Sequence, residues 1–293
     1  MMPGTLTFKG SPVTLVGRVL KIGVMTPNFR LTSTGLKEVR LADFKDRVKV
    51  ITSFLSLDTP VCDLQVKEFN KRAAGLPGEP VVIGISKDLP FAQKRFCESF
   101  EIKNISVLSD YKTSSFGINY GLLIKEMNLL ARAILIIDKS NVIRYLQIVP
   151  ELTTPPDYDA ALSHLEAVIK NPSSLTQAGK GPVHCVPCEG GTPPLPKEKA
   201  DRLVAMSRGW ELVEDKKIVK EFKFKDFTEA KLFLDLISVI AEEEGHHPGL
   251  TLIYNKLKIT LTTHAAGVLT ENDFIMAKYI DEIGNNWAGK DNA

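Results

Sequence analysis

The chain has few cysteines, almost no net charge and no long hydrophobic run. Its four cysteines, at positions 62, 97, 185 and 188, are too few for a disulfide scaffold in 293 residues. A net charge of +2 argues against a nucleic-acid or anionic-membrane surface. No apolar run approaches the roughly 18–20 residues that a membrane span needs. The first residues lack the basic region and apolar core of a secretory signal, so we expect a cytoplasmic protein.

The composition is that of a globular protein with more than one domain. Hydrophobic residues make up 44% and charged residues 25% of the chain. A length of 293 residues is typical of two domains. A segment rich in Pro, Gly and Ser begins near position 171 and marks a boundary. We predict a first domain over 1–170, a linker over 171–182, a second domain over 183–285 and a tail over 286–293.

The two domains are expected to differ in fold class. Residues 1–170 alternate strand-like and helix-like stretches, among them a buried strand at 48–54 and a helix at 63–74, which predicts an α/β domain. The second domain reads as a small α+β unit. Its helix at 228–244 carries an apolar stripe. We expect an antiparallel sheet packed against helices there.

Cys62 occupies a position that favours reactivity. It follows Thr59, a suitable N-cap, and Pro60, which fits the first position of a helix. In the first helical turn, free backbone N–H groups and the helix dipole favour the thiolate, which is the nucleophilic form of cysteine. By position alone, a small buried hydrophobic residue is an equally good interpretation.

The sequence around Cys62 resembles the active-site segment of the thiol peroxidases, which are atypical two-cysteine peroxiredoxins. This segment, SLDTPVCDLQVKEFN, is joined by LPFAQKRFC at 89–97, LLAR at 129–132 and ELTTPPDYDAAL at 151–162, in the family's order. The resemblance implies a thioredoxin-like fold and reduction of peroxides with thioredoxin as the reductant. It assigns the role of peroxidatic thiol to Cys62 and of resolving thiol to Cys97. It also implies that the Thr59 hydroxyl hydrogen-bonds the thiolate and the peroxide, and that Arg132 stabilises negative charge. Leu55 stands where the family usually has proline.

Three histidines are expected to converge in the second domain. Leu257, Ile259 and Leu261 alternate with polar residues, which is typical of a half-buried strand. A hairpin turn at Asn255 and Lys256 would place His247 directly opposite His264. His246 is adjacent. Convergent imidazoles indicate either acid–base catalysis or a metal site.

The spacing of these residues resembles the signature of the pterin-4a-carbinolamine dehydratases. The matching pattern is Glu242-x3-His246-His247-Pro248-x5-Tyr254-x9-His264-x8-Asp273. The resemblance implies catalysis without a metal or a bound cofactor: a 4a-hydroxypterin loses water and becomes a quinonoid dihydropterin. It assigns proton transfer to the three histidines, and contacts with the substrate to Glu242, Pro248, Thr263 and Asp273.

Other interpretations stay open at the level of sequence. Cys185 and Cys188 form a C-x-x-C pair, for which three interpretations are open. The pair could be a zinc or redox motif, half of a zinc site that a second chain completes, or a feature of this dehydratase subtype. Either half of the chain could act as a redox-sensing or dimerising module instead of a catalyst. The expected partners are thioredoxin, small peroxides, the hydroxypterin and a second copy of the chain, as a homodimer or higher homo-oligomer, without nucleic acid or membrane.

Overall fold

The computed structural model describes residues 6–170, 184–186 and 192–287. The chain divides into two compact units, Met1–Pro182 and Val183–Ala293. The predicted linker at 171–182 lies outside the described residues, as does nearly all of the predicted tail. Their bounds therefore stay predictions. Within the described ranges, no helix is both long and apolar enough to cross a membrane.

The first unit is a mixed α/β domain, as predicted. Its strands are β1 (Thr7–Phe8), β2 (Ser11–Pro12), β3 (Leu15–Val16), β4 (Arg30–Ser33), β5 (Glu38–Arg40), β6 (Lys49–Ser53), β7 (Val81–Ser86), β8 (Ser106–Ser109), β9 (Leu123–Ile124), β10 (Leu129–Leu130), β11 (Ala133–Ile137) and β12 (Ile143–Ile148). Its helices are α1 (Pro60–Ala73), α2 (Pro90–Ser99), α3 (Ser115–Asn119) and α4 (Tyr158–Lys170), with a 3₁₀ turn at Leu41–Phe44.

A seven-stranded sheet forms the centre of this unit, in the order β12-β11-β6-β7-β8-β4-β5. Strands β6, β7 and β8 run parallel, and the strands that flank them are antiparallel. Every residue of β6 and β7 is buried. Burial on both faces is typical of parallel strands in the centre of a sheet, and it explains why neither strand shows an alternating apolar and polar pattern.

Helices α1 and α2 each leave the carboxyl end of a parallel strand and carry one cysteine. Both begin with proline, after an extended residue: Thr59 before α1 and Leu89 before α2. Proline suits this position because the missing N–H has no partner within the helix in any case. Cys62 lies in the first turn of α1 and Cys97 in the last turn of α2.

The second unit is an antiparallel sheet with helices packed against it, as predicted. Its elements are α5 (Lys197–Met206), β13 (Glu211–Val213), β14 (Lys217–Lys223), α6 (Phe227–Glu244), β15 (Gly249–Ile253), β16 (Lys256–Leu261) and α7 (Glu271–Trp287), with strand order β13-β14-β16-β15. Leu257, Ile259 and Leu261 are buried and alternate with more exposed residues. The core therefore lies on the face of the sheet that α6 and α7 cover.

The predicted register of the β15–β16 hairpin is wrong by two residues. Leu252 pairs with Leu257, and Gly249 pairs with Thr260. The turn consists of Tyr254, at a φ of 50°, and Asn255. The Asn255 side chain donates to the Phe224 carbonyl, and the Phe224 N–H donates to the Asn255 carbonyl. These two bonds to the residue after β14 fix Asn255 as the second residue of the turn and not the first. The turn therefore begins one residue earlier than the sequence pattern indicated.

Candidate active sites

Cys62 is completely enclosed at the start of α1, at 0% exposure. Its backbone N–H donates to the Thr59 carbonyl, at 3.1 Å, within the first turn. The neighbouring Leu55 and Leu57 are buried in the same apolar core. The thiol is therefore in a dry surrounding at the positive end of a helix, where an electrostatic partner has a large effect.

Arg132 supplies that partner. It lies between β10 and β11, is 1% exposed, and its Nη2 is 3.4 Å from the Cys62 Sγ. Two bonds from Nε and Nη2 to the Leu152 carbonyl, at 3.1 and 2.9 Å, fix the guanidinium plane. Nη1 donates to the Gln65 Oε1. The structure thus holds a permanent positive charge against the sulfur, ready to stabilise negative charge there.

Thr59 lies in the same turn, but its hydroxyl has a different partner. Oγ1 donates to the Ser56 carbonyl at 2.9 Å, which shapes the loop that enters α1. The structure therefore brings Cys62 and Arg132 together, and places Thr59 at the entrance to the helix.

Cys97 is a half-buried free thiol, and Cys62 is also unbridged. Burial, and then the nearby Glu98 carboxylate, raise the pKa of the Cys97 thiol above its ordinary value. Cys97 is thus mostly protonated near neutral pH. A disulfide requires Cα atoms within about 7 Å. Because Cys62 is enclosed, it has to leave its surroundings before an external thiol or Cys97 reaches it.

Two further residues belong to this site and were not found from the sequence. Gln65 is fully buried and joins Arg132 to the Thr52 hydroxyl of β6. Tyr158 stacks edge-on against Phe69, at 5.5 Å between ring centroids. Burial raises the pKa of the Tyr158 phenol, and the Arg132 guanidinium acts in the opposite direction. For Gln65 the available signal was a polar residue on the buried face of α1, one turn after Cys62.

In the second unit, Asp273 organises the candidate site. It is 0% exposed and lies in the first turn of α7, which begins at Glu271. Its Oδ1 is 2.8 Å from the His246 Nε2, and its Oδ2 accepts from the Thr263 hydroxyl at 2.9 Å and the Thr270 N–H at 2.8 Å. One carboxylate therefore joins the end of α6, the loop after β16 and the start of α7.

His247 and His264 lie on the exposed side of this buried group. The His247 Nε2 contacts the Glu242 Oε1 at 2.9 Å, and both side chains are about 60% exposed (61% and 62%). His264 is exposed and follows Thr263 directly. The observed register does not place His247 opposite His264. Asp273 instead holds both histidines at one end of the sheet, because it contacts His246, which precedes His247, and Thr263, which precedes His264. Pro248 lies half-buried beside His247.

The segment 184–186 is attached to the same end of the domain. The His184 Nδ1 and the Cys185 N–H both contact the Glu244 carboxylate, at 3.2 and 3.0 Å. The Val186 backbone exchanges two hydrogen bonds with the Asn272 side chain. Sequence reasoning did not single out Glu244 or Asn272. Cys188 lies outside the described residues. Among the described residues, no cluster of three or more His, Cys, Asp or Glu side chains has metal-binding geometry.

Replacement of Asp273 by alanine is expected to destabilise the second unit by about 3–5 kcal/mol, because the change removes the carboxylate that contacts His246 and accepts from the buried Thr263 hydroxyl and Thr270 N–H. Urea unfolding followed by tryptophan fluorescence reports on this unit alone, because Trp210 and Trp287 are the two tryptophans of the chain. Glu242→Ala is the control, and its exposed ion pair contributes at most about 1 kcal/mol. Equal stability of the two variants would contradict the importance of the buried carboxylate.

Comparison with known proteins assigns each half to a family. Residues 21–162 match the Redoxin family, and residues 193–283 match the Pterin 4 alpha carbinolamine dehydratase family. A thiol peroxidase of Aquifex aeolicus is 45% identical over 171 residues, which cover 57% of this chain and 100% of that protein. A thiol peroxidase of Bacillus subtilis is 42% identical over 165 residues, covering 56% and 98%.

Solved structures agree with the assignment of the first half. The crystal structure of a peroxiredoxin-like protein from Aquifex aeolicus is 44% identical, with a TM-score of 0.53, and the match covers 56% of this chain and 96% of the other. A thiol peroxidase from Chromobacterium violaceum, 22% identical with a TM-score of 0.52, covers 57% and 98% and shares the fold.

Proposed function

Because the chain belongs to the thiol peroxidase family and also contains a pterin carbinolamine dehydratase domain, we propose that it is a bifunctional enzyme. The first half reduces hydrogen peroxide and organic hydroperoxides with thioredoxin as the reductant. The second half dehydrates a 4a-hydroxytetrahydropterin to the quinonoid dihydropterin. The contact between Arg132 and Cys62 is the main support for the first activity, and the Asp273-centred group of His246 and Thr263 is the main support for the second.

In the proposed peroxidase reaction, the Cys62 thiolate attacks one oxygen of the peroxide. The O–O bond breaks, Cys62 becomes a sulfenic acid, and water or an alcohol leaves. Arg132 stabilises the negative charge on sulfur and on the leaving oxygen. The Cys97 sulfur then attacks the sulfenic sulfur and water leaves, which gives a Cys62–Cys97 disulfide. A thioredoxin dithiol reduces this disulfide and restores both thiols.

In the proposed dehydration, the exposed His247 and His264 exchange protons with the substrate. One imidazolium protonates the departing 4a-hydroxyl group, and a second imidazole accepts a proton from the ring. Imidazole suits both tasks because its ordinary pKa lies near neutrality. His246 is buried, with Nε2 directed at Asp273, so it acts by holding the site together and by orienting its neighbour. Glu242 orients His247, and Pro248, Thr263 and Asp273 shape the substrate position.

One equivalent of peroxide is expected to link Cys62 to Cys97 within a single chain. Cys62 is the thiol with a cationic partner, and Cys97 lies on the next helix of the same unit. Non-reducing peptide mapping measures the product, and Cys97→Ser is the control, which should stop at the sulfenic acid. A link between Cys62 and Cys185, or between two chains, as the main product would contradict the proposed mechanism.

Two assays on one sample test the pair of activities. Peroxide consumption coupled to a thioredoxin system should proceed, and carbinolamine dehydration should proceed independently. If either half acts only as a sensing or dimerising module, its assay will show no turnover above the uncatalysed rate.

A further inference from the structure

The Asp88 carboxylate fastens the loop that precedes Cys62 to the loop that precedes α2. Its Oδ1 accepts from the Ser56 hydroxyl at 2.7 Å. Its Oδ2 accepts from the Leu57 N–H at 2.8 Å and the Ser86 hydroxyl at 2.7 Å. Ser56 also accepts the Thr59 hydroxyl on its carbonyl, so Ser56 links the turn that enters α1 to this carboxylate.

The hydrogen bonds continue from Asp88 to the helix of the second cysteine. The Ser86 hydroxyl, which donates to Asp88, accepts from the Gln93 Nε2 at 3.1 Å. Gln93 is fully buried and also donates to the Leu108 carbonyl. It precedes Cys97 by four residues on α2, so the two side chains share a helix face. A chain of hydrogen bonds thus runs from the loop of Cys62 to the helix of Cys97.

This chain of contacts opposes the movement that disulfide formation needs. Cys62 is 0% exposed, so the Cys97 thiol attacks its sulfur only after the segment that precedes Cys62 has moved away from its neighbours. Hydrogen bonds to a charged acceptor are the strong ones, and three of them meet at Asp88. We propose that Asp88 is a positioning residue, which holds Cys62 beside Arg132 in the reduced protein and sets how often the loop opens. This inference rests on the proposed peroxidase function.

The first test needs no peroxide. In the reduced full-length chain, Asp88→Asn should increase the rate of Cys62 alkylation by N-ethylmaleimide about tenfold, because an amide cannot satisfy Ser56, Ser86 and the Leu57 N–H together. Cys97 is measured in the same digest, and its rate should not change. General destabilisation would raise both rates. Asp58→Asn, in the same loop but exposed, is the matched control and should leave both rates unchanged. Ser56→Ala removes one of the three bonds and should give a smaller increase.

The second test follows the reaction with peroxide by rapid quenching and mass spectrometry. Asp88→Asn should slow the loss of the Cys62 thiol and accelerate the conversion of sulfenic acid to disulfide, so the ratio of the two rate constants rises about tenfold. If wild-type Cys62 does not react with peroxide while Asp88→Asn still exposes it to alkylation, the proposed function fails and the positioning role stands. The inference about Asp88 is wrong if the wild type forms its disulfide but Asp88→Asn and Ser56→Ala change neither of two ratios. The first is the ratio of the Cys62 to the Cys97 alkylation rate, and the second is the ratio of the two rate constants measured with peroxide.

Discussion

Arg132→Met is expected to lower the second-order rate constant for the reaction of Cys62 with peroxide about 10²–10³-fold. The guanidinium is a fixed positive charge, 3.4 Å from the sulfur, in a site from which water is excluded. Methionine fills a similar volume but offers no charge and no donor. To measure this rate constant directly, the reaction is quenched at successive times and the remaining Cys62 thiol is quantified by alkylation and mass spectrometry.

Two further variants separate charge from geometry in this experiment. Arg132→Lys keeps the positive charge but loses the fork that binds the Leu152 carbonyl and Gln65, so it should recover only part of the rate. Arg144→Met removes a partly buried ion pair with Asp138 elsewhere in the same unit and should leave the rate unchanged. A full rate for folded Arg132→Met would show that the arginine is structural.

His247→Ala and His264→Ala are each expected to lower the kcat/KM of dehydration about 10²–10⁴-fold, which is the usual contribution of a general acid or base. Both side chains are exposed at the end of the sheet that Asp273 organises. Their removal costs little stability for the same reason. The double variant should be only slightly slower than either single variant, because two groups that act on one substrate act as a unit.

The measurement is a direct carbinolamine dehydration assay on the full chain, with peroxide turnover measured in parallel. His164→Ala, on α4 of the first unit, is the control and should change neither dehydration nor its pH profile. Peroxide turnover should be unaffected in all the histidine variants of the second unit. Near-complete dehydratase activity in either His247→Ala or His264→Ala would refute the assignment of that residue.

The hairpin of the second unit shows where sequence patterns were insufficient. Alternation along β16 correctly predicted which side chains face the core, because that property has a period of two and depends only on the strand itself. The pairing of β15 with β16 depends on the turn. Asn255 is held in the turn by Phe224, about 30 positions away in the chain, and no local pattern contains that contact.

The peroxidase site shows the same division. A helix that begins at Pro60 and carries Cys62 in its first turn was predictable, because the preference of proline for the first helical position is local. Thr59 occupies the cap position, but its hydroxyl donates to the Ser56 carbonyl and makes no capping bond. The positions of Gln65, Tyr158 and Asp88 around that turn were not predictable. Each is fixed by packing or hydrogen bonds with another element of the sheet or its helices.

The amino-acid sequence was enough to predict the two fold classes and the main helices and buried strands, and it singled out the cysteines and histidines that are candidates for catalysis. These properties follow from periodicity, from local turn and cap preferences, and from the intrinsic chemistry of side chains. The folded chain was needed to see that Arg132 faces the Cys62 sulfur, that Asp273 holds His246 and Thr263 together, and that Asp88 joins the loops before α1 and α2. Contacts of this kind join residues that are far apart in the chain, and their geometry is set by the packing of whole elements, which no short segment of sequence specifies.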